Sequence, residues 1–336
     1  MDALSDVLRA VRLTGAIFFD VRVSPPWVAE TPAGSKIVSS IFAAADHLIP
    51  YHVVTRGTAW ARIVDGPATR LEQGDIVVFP HGDAHVISSA PGMRGRPNLK
   101  LYRHPADRQL PFVMSLGEPS AEPGHIVCGY LGCDARPFNP LIDALPPILR
   151  VGESAGGRIA AFVQYAIAES DAPRMGGESV LGRLSELMFV EVVRRYFETL
   201  PAGQTGWLAG LRDPSIGRAL TALHREPARA WTLESLSRAA GLSRSALAER
   251  FTALVGQPPM QYLTHWRMQL AATDLMTGID GVAAVADRVG YESEAAFSRA
   301  FKKNVGVPPG QWRRHRSGRA AKAARLQGAT ALSRDT

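Results

Sequence analysis

Between residues 15 and 135 the apolar side chains come in short runs. Lys36-Ile-Val-Ser-Ser-Ile-Phe, His52-Val-Val-Thr, Ala59-Trp-Ala-Arg-Ile-Val, Asp75-Ile-Val-Val-Phe and Ile126-Val-Cys-Gly-Tyr are separated by Gly, Pro and Asp. Turn formers at intervals of roughly 8–15 residues are the punctuation of an antiparallel sandwich or barrel. Residues 105–124, rich in Pro and polar groups, read as a loop. From about residue 154 the period becomes helical: Ile159, Phe162, Val163 and Ala166 share one face. After a break at Met175-Gly-Gly, a second helix carries Leu181, Leu184, Leu187, Met188, Glu191, Val192 and Tyr196. Its apolar arc is wider than one partner element needs, which leaves two readings open: an oligomer surface, or core packing. Pro201-Ala-Gly-Gln-Thr-Gly reads as a domain linker, and the Ala-, Arg- and Lys-rich tail after Arg313 has no apolar period and reads as frayed.

Farther along, the chain repeats itself. Ser243-Arg-Ser-Ala-Leu-Ala-Glu-Arg-Phe-Thr-Ala-Leu-Val-Gly-Gln-Pro-Pro returns 50 positions later as Ser293-Glu-Ala-Ala-Phe-Ser-Arg-Ala-Phe-Lys-Lys-Asn-Val-Gly-Val-Pro-Pro. The copies agree at Leu247/Phe297, Phe251/Phe301, Val255/Val305 and Gly256/Gly306, where a helix-turn-helix needs its core and its stop. Thr232 is placed to cap a helix that turns Leu233, Leu236, Ala239 and Ala240 inward. Gly241 supplies a left-handed turn, Leu242 plugs the interhelical angle, and Ser243 caps the next helix. In the second copy Val282, Val285, Ala286 and Val289 face inward, Gly290 ends the helix, and Ser293 caps the next. The polar faces left outside are Arg244, Ser245, Ala248, Glu249 and Thr252 in one copy, and Glu294, Ala295, Ser298, Arg299, Lys302 and Lys303 in the other. Early positions on such helices suit base edges in the major groove, and the later lysines suit phosphates. A helix from Pro259 to about Met276 joins the copies, so that one chain can reach two groove faces about 34 Å apart.

Charge supports this division. The net +7 is uneven: residues 205–336 hold 19 Lys+Arg against 10 Asp+Glu, and residues 1–204 hold 19 against 21. A basic C-terminal part behind a near-neutral one suits double-stranded DNA as partner. Two cysteines, Cys128 and Cys133, are too few for a disulfide scaffold. Asp2, Asp6, Arg9 and Arg12 interrupt the N-terminal stretch, which reads as an amphipathic helix rather than a signal peptide, and no run suffices for a membrane span. The expectation is a cytoplasmic protein without membrane contact.

Together the two copies, the joining helix and the ending Val-Gly-Tyr-Glu-Ser…Phe-Ser-Arg-Ala-Phe-Lys…Gly-Val-Pro-Pro resemble the AraC/XylS family of bacterial transcription regulators, over roughly residues 215–314. The resemblance implies base contacts from Ser245, Ala248 and Glu249, and from Glu294, Ala295, Ser298 and Arg299. Glu249 departs from an often basic position and Arg250 from a usually apolar one, which implies a weaker first helix. Gly74-Asp-Ile-Val-Val-Phe-Pro80-His-Gly82-Asp-Ala-His85 has the spacing of the second cupin motif and resembles the cupin sensors attached to many such regulators, over about 2–135. That implies a small barrel with His85 pointing in.

Three chemistries offer themselves. His52, His85 and Cys128 could converge as ligands of a divalent metal, with His47 and His81 also of ligand type. The first cupin motif lacks its His-x-His pair and its glutamate, whose place falls near Pro50, so a satisfied pair of barrel histidines, or histidines binding an organic effector, is favoured over a metal. His52, His85, Trp60 and Cys128 are the effector candidates. Cys128 lies in an Ile-Val-Cys-Gly segment shared with oxidant-sensing relatives. Its parity against Cys133 disfavours a local disulfide, and a buried strand cysteine is the preferred reading. Gly152-Glu-Ser154-Ala-Gly156 imitates a nucleophile elbow but lacks repeated βα units and a later histidine outside the DNA-binding part.

The fold expected is α+β: a cupin-like antiparallel β-barrel over 1–150, a helical and dimerising segment over 151–204, an all-α double helix-turn-helix domain over 205–316 and a basic tail over 317–336. The function expected is a non-enzymatic, homodimeric transcription regulator that answers an unknown effector, with RNA polymerase as a further partner if it activates. A cupin-type metal enzyme fused to a DNA-binding domain, and a constitutive DNA binder with a structural barrel, are the alternatives.

Overall fold

The computed structural model describes residues 2–42, 45–102, 110–152, 158–172, 174–201 and 203–314. Along the chain run α1 (Ala3–Ala10), β1 (Thr14–Ser24), β2 (Val28–Thr31), α2 (Val38–Ile41), β3 (His47–Arg56), β4 (Ala59–Ile63), β5 (Thr69–Leu71) and β6 (Ile76–Val78). Then come β7 (His85–Ser88), β8 (Phe112–Gly117), β9 (Gly124–Cys133), α3 (Pro140–Ala144), β10 (Leu149–Val151), α4 (Arg158–Asp171) and α5 (Gly177–Thr199). The rest is helical: α6 (Trp207–Arg212), α7 (Pro214–Arg225), α8 (Leu233–Ala240), α9 (Arg244–Val255), α10 (Pro259–Thr277), α11 (Val282–Arg288) and α12 (Glu294–Val305). The described residues divide into a sandwich unit, within 13–133 and 145–199, and a helical unit, within 2–12, 134–144 and 200–314.

In the sandwich unit a six-stranded sheet, ordered β10-β6-β3-β9-β1-β8, faces a four-stranded one, ordered β2-β7-β4-β5. Val21, Val54, Val77, Ile126 and Tyr130 of the first meet Ala59, Ala61, Leu71 and Ile87 of the second in one core. The expected barrel does not close. Strand β8 pairs parallel with β1 and ends the large sheet, while β2 ends the small one. Two elements also differ from expectation. The run at 36–42 is a 3-10 turn followed by α2, because Ile37, Val38, Ile41 and Phe42 are spaced for a helix face and pack on the core that way. Part of the expected loop at 105–124 is β8, an edge strand between Pro111 and Gly117.

The outer face of the large sheet is covered by α5, which packs on β1, β9, β10 and α4. Leu181, Leu184, Met188, Phe189, Val192 and Val193 are buried there. Approach is so close that a Cβ on Gly15 would sit 2.5 Å from the Gly182 carbonyl oxygen. Tyr51 crosses the same gap and donates to Ser185 Oγ at 2.6 Å, while Ser185 donates to the Leu181 carbonyl at 2.9 Å. The wide apolar arc of α5 is thus largely consumed within the unit, with Leu187 left half exposed.

In the helical unit the expected caps are in place. Thr232 and Ser235 form a capping box on α8, and Ser243 and Ser293 accept from Ala246 N and Ala296 N. Ala239 is exposed, because one turn of α8 turns only Leu236 and Ala240 fully inward. Helix α10 runs through the unit's middle. One of its ends closes the second core with Met268, Ala271, Leu275, Val285, Phe297 and Phe301. Its Gln269 and Thr273 side chains donate to the Ala10 carbonyl at 3.3 and 2.9 Å, so α1 is seated on it.

Met188→Ala should therefore lower stability by about 2–5 kcal/mol, the usual cost of a core truncation, and Leu187→Ala by less than about 0.5 kcal/mol. Urea unfolding of both variants checks this; a large loss for Leu187→Ala alone would mean that the outer side of α5 is itself covered.

Candidate nucleic-acid interface and sensor cavity

Repeat-related positions on α9 and α12 are presented alike. Arg244, Ser245, Glu249 and Thr252 are exposed on α9, as are Glu294, Ala295, Arg299, Lys302 and Lys303 on α12; Ala248 and Ser298, equivalent in the repeat, are half buried. Leu247 and Phe251 anchor the first helix and Phe297 and Phe301 the second, all fully buried. A buried pair at positions i and i+4 fixes which stripe faces away.

The cations of this unit fall into two groups. Arg250 donates to Asp213 at 3.0 and 2.5 Å, tying α9 to the capping residue of α7. Arg218 donates to the Ala240 carbonyl at 2.6 Å, and Arg288 pairs with Asp274 and Asp280. In contrast, the side chains of Arg244, Arg299, Lys302 and Lys303 have no hydrogen bond or ion pair among the described residues. Arginines spent on carbonyls and capping carboxylates build the fold; unspent ones on a shared face remain for an anionic partner. The sequence could not separate these groups, since Arg250 and Arg244 differ in use but not in type. Thr252 also bonds inward, to the Ala248 carbonyl at 2.7 Å, which occupies its donor.

The sandwich carries a partly open cavity of about 200 Å³ lined from both edge strands, β2 and β8. Phe19, Val21, Met114 and Leu116 supply apolar walls, and His52, Cys128, Thr31 and Tyr130 line it as well. Most of its polar groups already have partners. Glu30 is held by Arg94 at 2.9 and 3.0 Å and by Gly95 N at 3.1 Å.

Pairing of β3 with β9 places His52 directly opposite Cys128, and the thiol sulfur lies 2.9 Å from His52 Nδ1. Nε2 of the same ring is 2.8 Å from His85 Nε2, and His85 Nδ1 is 2.8 Å from the Asp83 carbonyl oxygen. A carbonyl only accepts, so His85 carries its proton on Nδ1 and accepts at Nε2. His52 then donates from Nε2 and accepts at Nδ1 from the Cys128 thiol. Each group is satisfied with all three neutral. Burial, then the neighbouring His85, pushes His52 well below the ordinary histidine range. Burial lowers His85 to about 4 against the pull of the Asp83 carbonyl, and burial followed by the charge of Asp20 pushes the Cys128 thiol up.

These distances correct several expectations. His52, His85 and Cys128 form a line, not a convergent set: His52 would need both ring nitrogens to touch both partners, so the trio does not fit one metal ion. Among the described residues no three or more His, Cys, Asp or Glu side chains make such a group. His47 and His81 donate to the carbonyls of Pro80 and Leu145 at 2.6 and 2.9 Å. His85 does not line the cavity but stands behind His52, stacked on Phe79 at 3.9 Å between ring centres. Trp60 does not line it either, because Ala59 and Ala61 take the core side of β4 and parity turns Trp60 to the other face. Cys128 and Cys133 form no disulfide and lie five residues apart on one strand, or about 17 Å. Residues 153–157, including Ser154 of the esterase-like motif, lie outside the described residues. Arg96, Tyr102, Met114 and Leu116 are lining residues that the sequence did not signal; the last two come from the expected loop at 105–124.

A sandwich joined in one chain to two capped helix-turn-helix motifs defines a DNA-binding protein with a separate N-terminal region. The family model described as Cupin matches residues 2–198, and that of the Helix-turn-helix domain matches 236–315. An AraC-like transcription regulator of Streptomyces lividans is 34% identical over 94% of this chain and 99% of its own length. AlkR of Acinetobacter baylyi, a helix-turn-helix transcriptional regulator, is 28% identical over 93% of this chain and 99% of its own. The DNA-binding domain of AdpA, solved with a target DNA, is 30% identical and covers 32% of this chain and 96% of that domain, with a TM-score of 0.30. This chain belongs to the AraC family of transcription regulators, with a cupin-like N-terminal region and a helix-turn-helix DNA-binding domain. No described helix is long and apolar enough to cross a membrane.

The buried histidines make stability depend on pH. Below the unfolded value of 6.5 the unfolded chain takes up protons that folded His52 and His85 refuse. Stability is therefore full above that value and falls as pH drops toward 4, by up to about 1.4 kcal/mol per pH unit for each histidine. His85→Gln should flatten this decline in urea titrations between pH 7.5 and 4.5; an unchanged slope would show that His85 ionises as freely folded as unfolded.

Proposed function

We propose that α9 and α12 read successive major-groove faces of one operator, while the sandwich cavity receives the effector that controls this reading. The carrying observation is the set of unspent cations, Arg244, Arg299, Lys302 and Lys303, on the repeat-related exposed faces. Arg299, near the middle of α12, suits the N7 and O6 of a guanine, and Lys302 and Lys303, a turn later, suit phosphates. Glu249 and Glu294 suit cytosine amino groups. The effector that suits the cavity is a small, predominantly apolar molecule, because Phe19, Val21, Met114 and Leu116 form much of the wall and most of the polar groups there are paired. Its binding would act by shifting the population between DNA-competent and DNA-incompetent states. In this reading the protein works in the cytoplasm as a homodimer, performs no catalysis, and meets RNA polymerase where it activates.

Arg299→Ala should cost about 1–3 kcal/mol at one or two base pairs and relax selection there. Lys303→Ala should weaken all sequences alike and reduce the salt dependence by about one phosphate contact. Binding-site selection with each full-length variant separates the two roles; uniform losses from both would leave Arg299 on the backbone.

Filling the cavity with Val21→Trp should abolish thermal stabilisation by small apolar compounds and leave DNA affinity within about threefold, since the altered side chain lies in the sandwich core. If such compounds still stabilise the variant, the effector site lies elsewhere.

A further inference from the structure

Each helix-turn-helix turn contains a glycine with left-handed backbone, Gly241 at φ +69° and Gly290 at φ +79°. Their surroundings differ. A Cβ on Gly241 would meet only the end of the Arg218 side chain, at 3.1 Å, which can move aside. A Cβ on Gly290 would lie 2.3 Å from the carbonyl oxygen and 2.7 Å from the Cα of Ala228. Ala228 belongs to the 226–231 loop that leads into the first helix-turn-helix. The turn of the second motif is therefore pressed, backbone to backbone, against the first.

That loop is stiff. Trp231, buried, donates from Nε1 to the Glu226 carbonyl at 2.9 Å and carries the Arg229 guanidinium 4.2 Å above its ring. Arg267, on the joining helix α10, donates to the carbonyls of Pro227 and Arg229 at 2.7 and 2.8 Å. Its guanidinium also lies 5.8 Å from the centre of the Tyr291 ring, next to Gly290. One half-buried cation thus binds the loop of the first motif, the turn of the second and the helix between them.

We propose that this Arg267–Gly290 joint sets the spacing at which α9 and α12 meet DNA, making Arg267 and Gly290 positioning residues for operator choice. A long helix alone can bend and twist at its ends, whereas a second contact removes the remaining hinge freedom. Two sites linked rigidly gain from each other only when the DNA presents its elements at the matching separation. The inference rests on both helices reading DNA, as proposed above.

The test uses the full-length protein and the operator it selects from random duplexes, with one or two base pairs then inserted or removed between the two selected elements. Wild type should lose about tenfold or more in affinity when the separation is wrong. Arg267→Met, which keeps the bulk and removes the donors, should reduce that penalty to about threefold or less while leaving affinity for the second element alone unchanged. Gly290→Ala should act in the same direction. Gly241→Ala, which places alanine in the same left-handed backbone but near only the movable end of Arg218, should keep the full penalty. A full spacing penalty in Arg267→Met, with its thermal melt intact, overturns the joint and leaves the two-helix reading standing. Selection of a single element by wild type overturns both.

Discussion

The register between β3 and β9 governs the sandwich. Residues along β3 point alternately to its two faces, and the pairing with β9 decides which residue faces which partner. Tyr51 faces α5 and reaches Ser185; His52, next in sequence, faces the interior and meets Cys128. Gly129, beside Cys128 in β9, makes room for the Tyr51 ring, since a Cβ there would lie 2.2 Å from its hydroxyl. A slip of one residue would bury the phenol in the wrong layer and break the Cys128–His52–His85 line. The cavity and the helix packing are therefore two consequences of one hydrogen-bonded ladder.

That line of hydrogen bonds is expensive to build and cheap to keep. Three polar side chains are withdrawn from water, and each would cost on the order of 1–3 kcal/mol if left without a partner. The Asp83 carbonyl anchors one end and thereby dictates every tautomer along it. Such an array holds no net charge, so His52 and Cys128 face the cavity as neutral groups.

In the helical unit the organising economy is that of the guanidinium group. Arg218, Arg250, Arg267 and Arg288 close helix ends, cap residues and loops against one another. Each satisfies carbonyls or carboxylates that the helices leave unpaired. With those arginines committed, the cations left on α9 and α12 stand out as a surface with no internal use. The segments around α1 and α3 also join this unit: Phe138 N donates to Gln269 Oε1 at 3.0 Å, and Arg12, just after α1, pairs with Asp134, ahead of α3, at 2.7 Å. Nothing in the local sequence of these segments announces such a destination, because it depends on the chain's path between two units.

Local signals in the sequence were sufficient wherever the deciding physics is local. Thr232, Ser243 and Ser293 cap their own helices, Gly241 and Gly256 end theirs, and Leu247/Phe251 with Phe297/Phe301 set the buried stripe by spacing alone. The two helix-turn-helix motifs, the family and the exposed faces were legible for that reason. Short apolar runs were not decisive: 36–42 became a helical turn and 112–117 a strand, because a few residues gain more from their tertiary partner than from propensity. His52 and Cys128 could be named as candidates from residue type and cupin spacing, but not ordered. Only the tertiary structure decided that His85 supports rather than lines, that Trp60 faces away, that the histidines do not converge on a metal, and that Arg250 is structural while Arg299 is unspent. Those outcomes depend on which side of a strand faces the other sheet and which carbonyl lies within 3 Å, and both are relations between residues far apart in the chain.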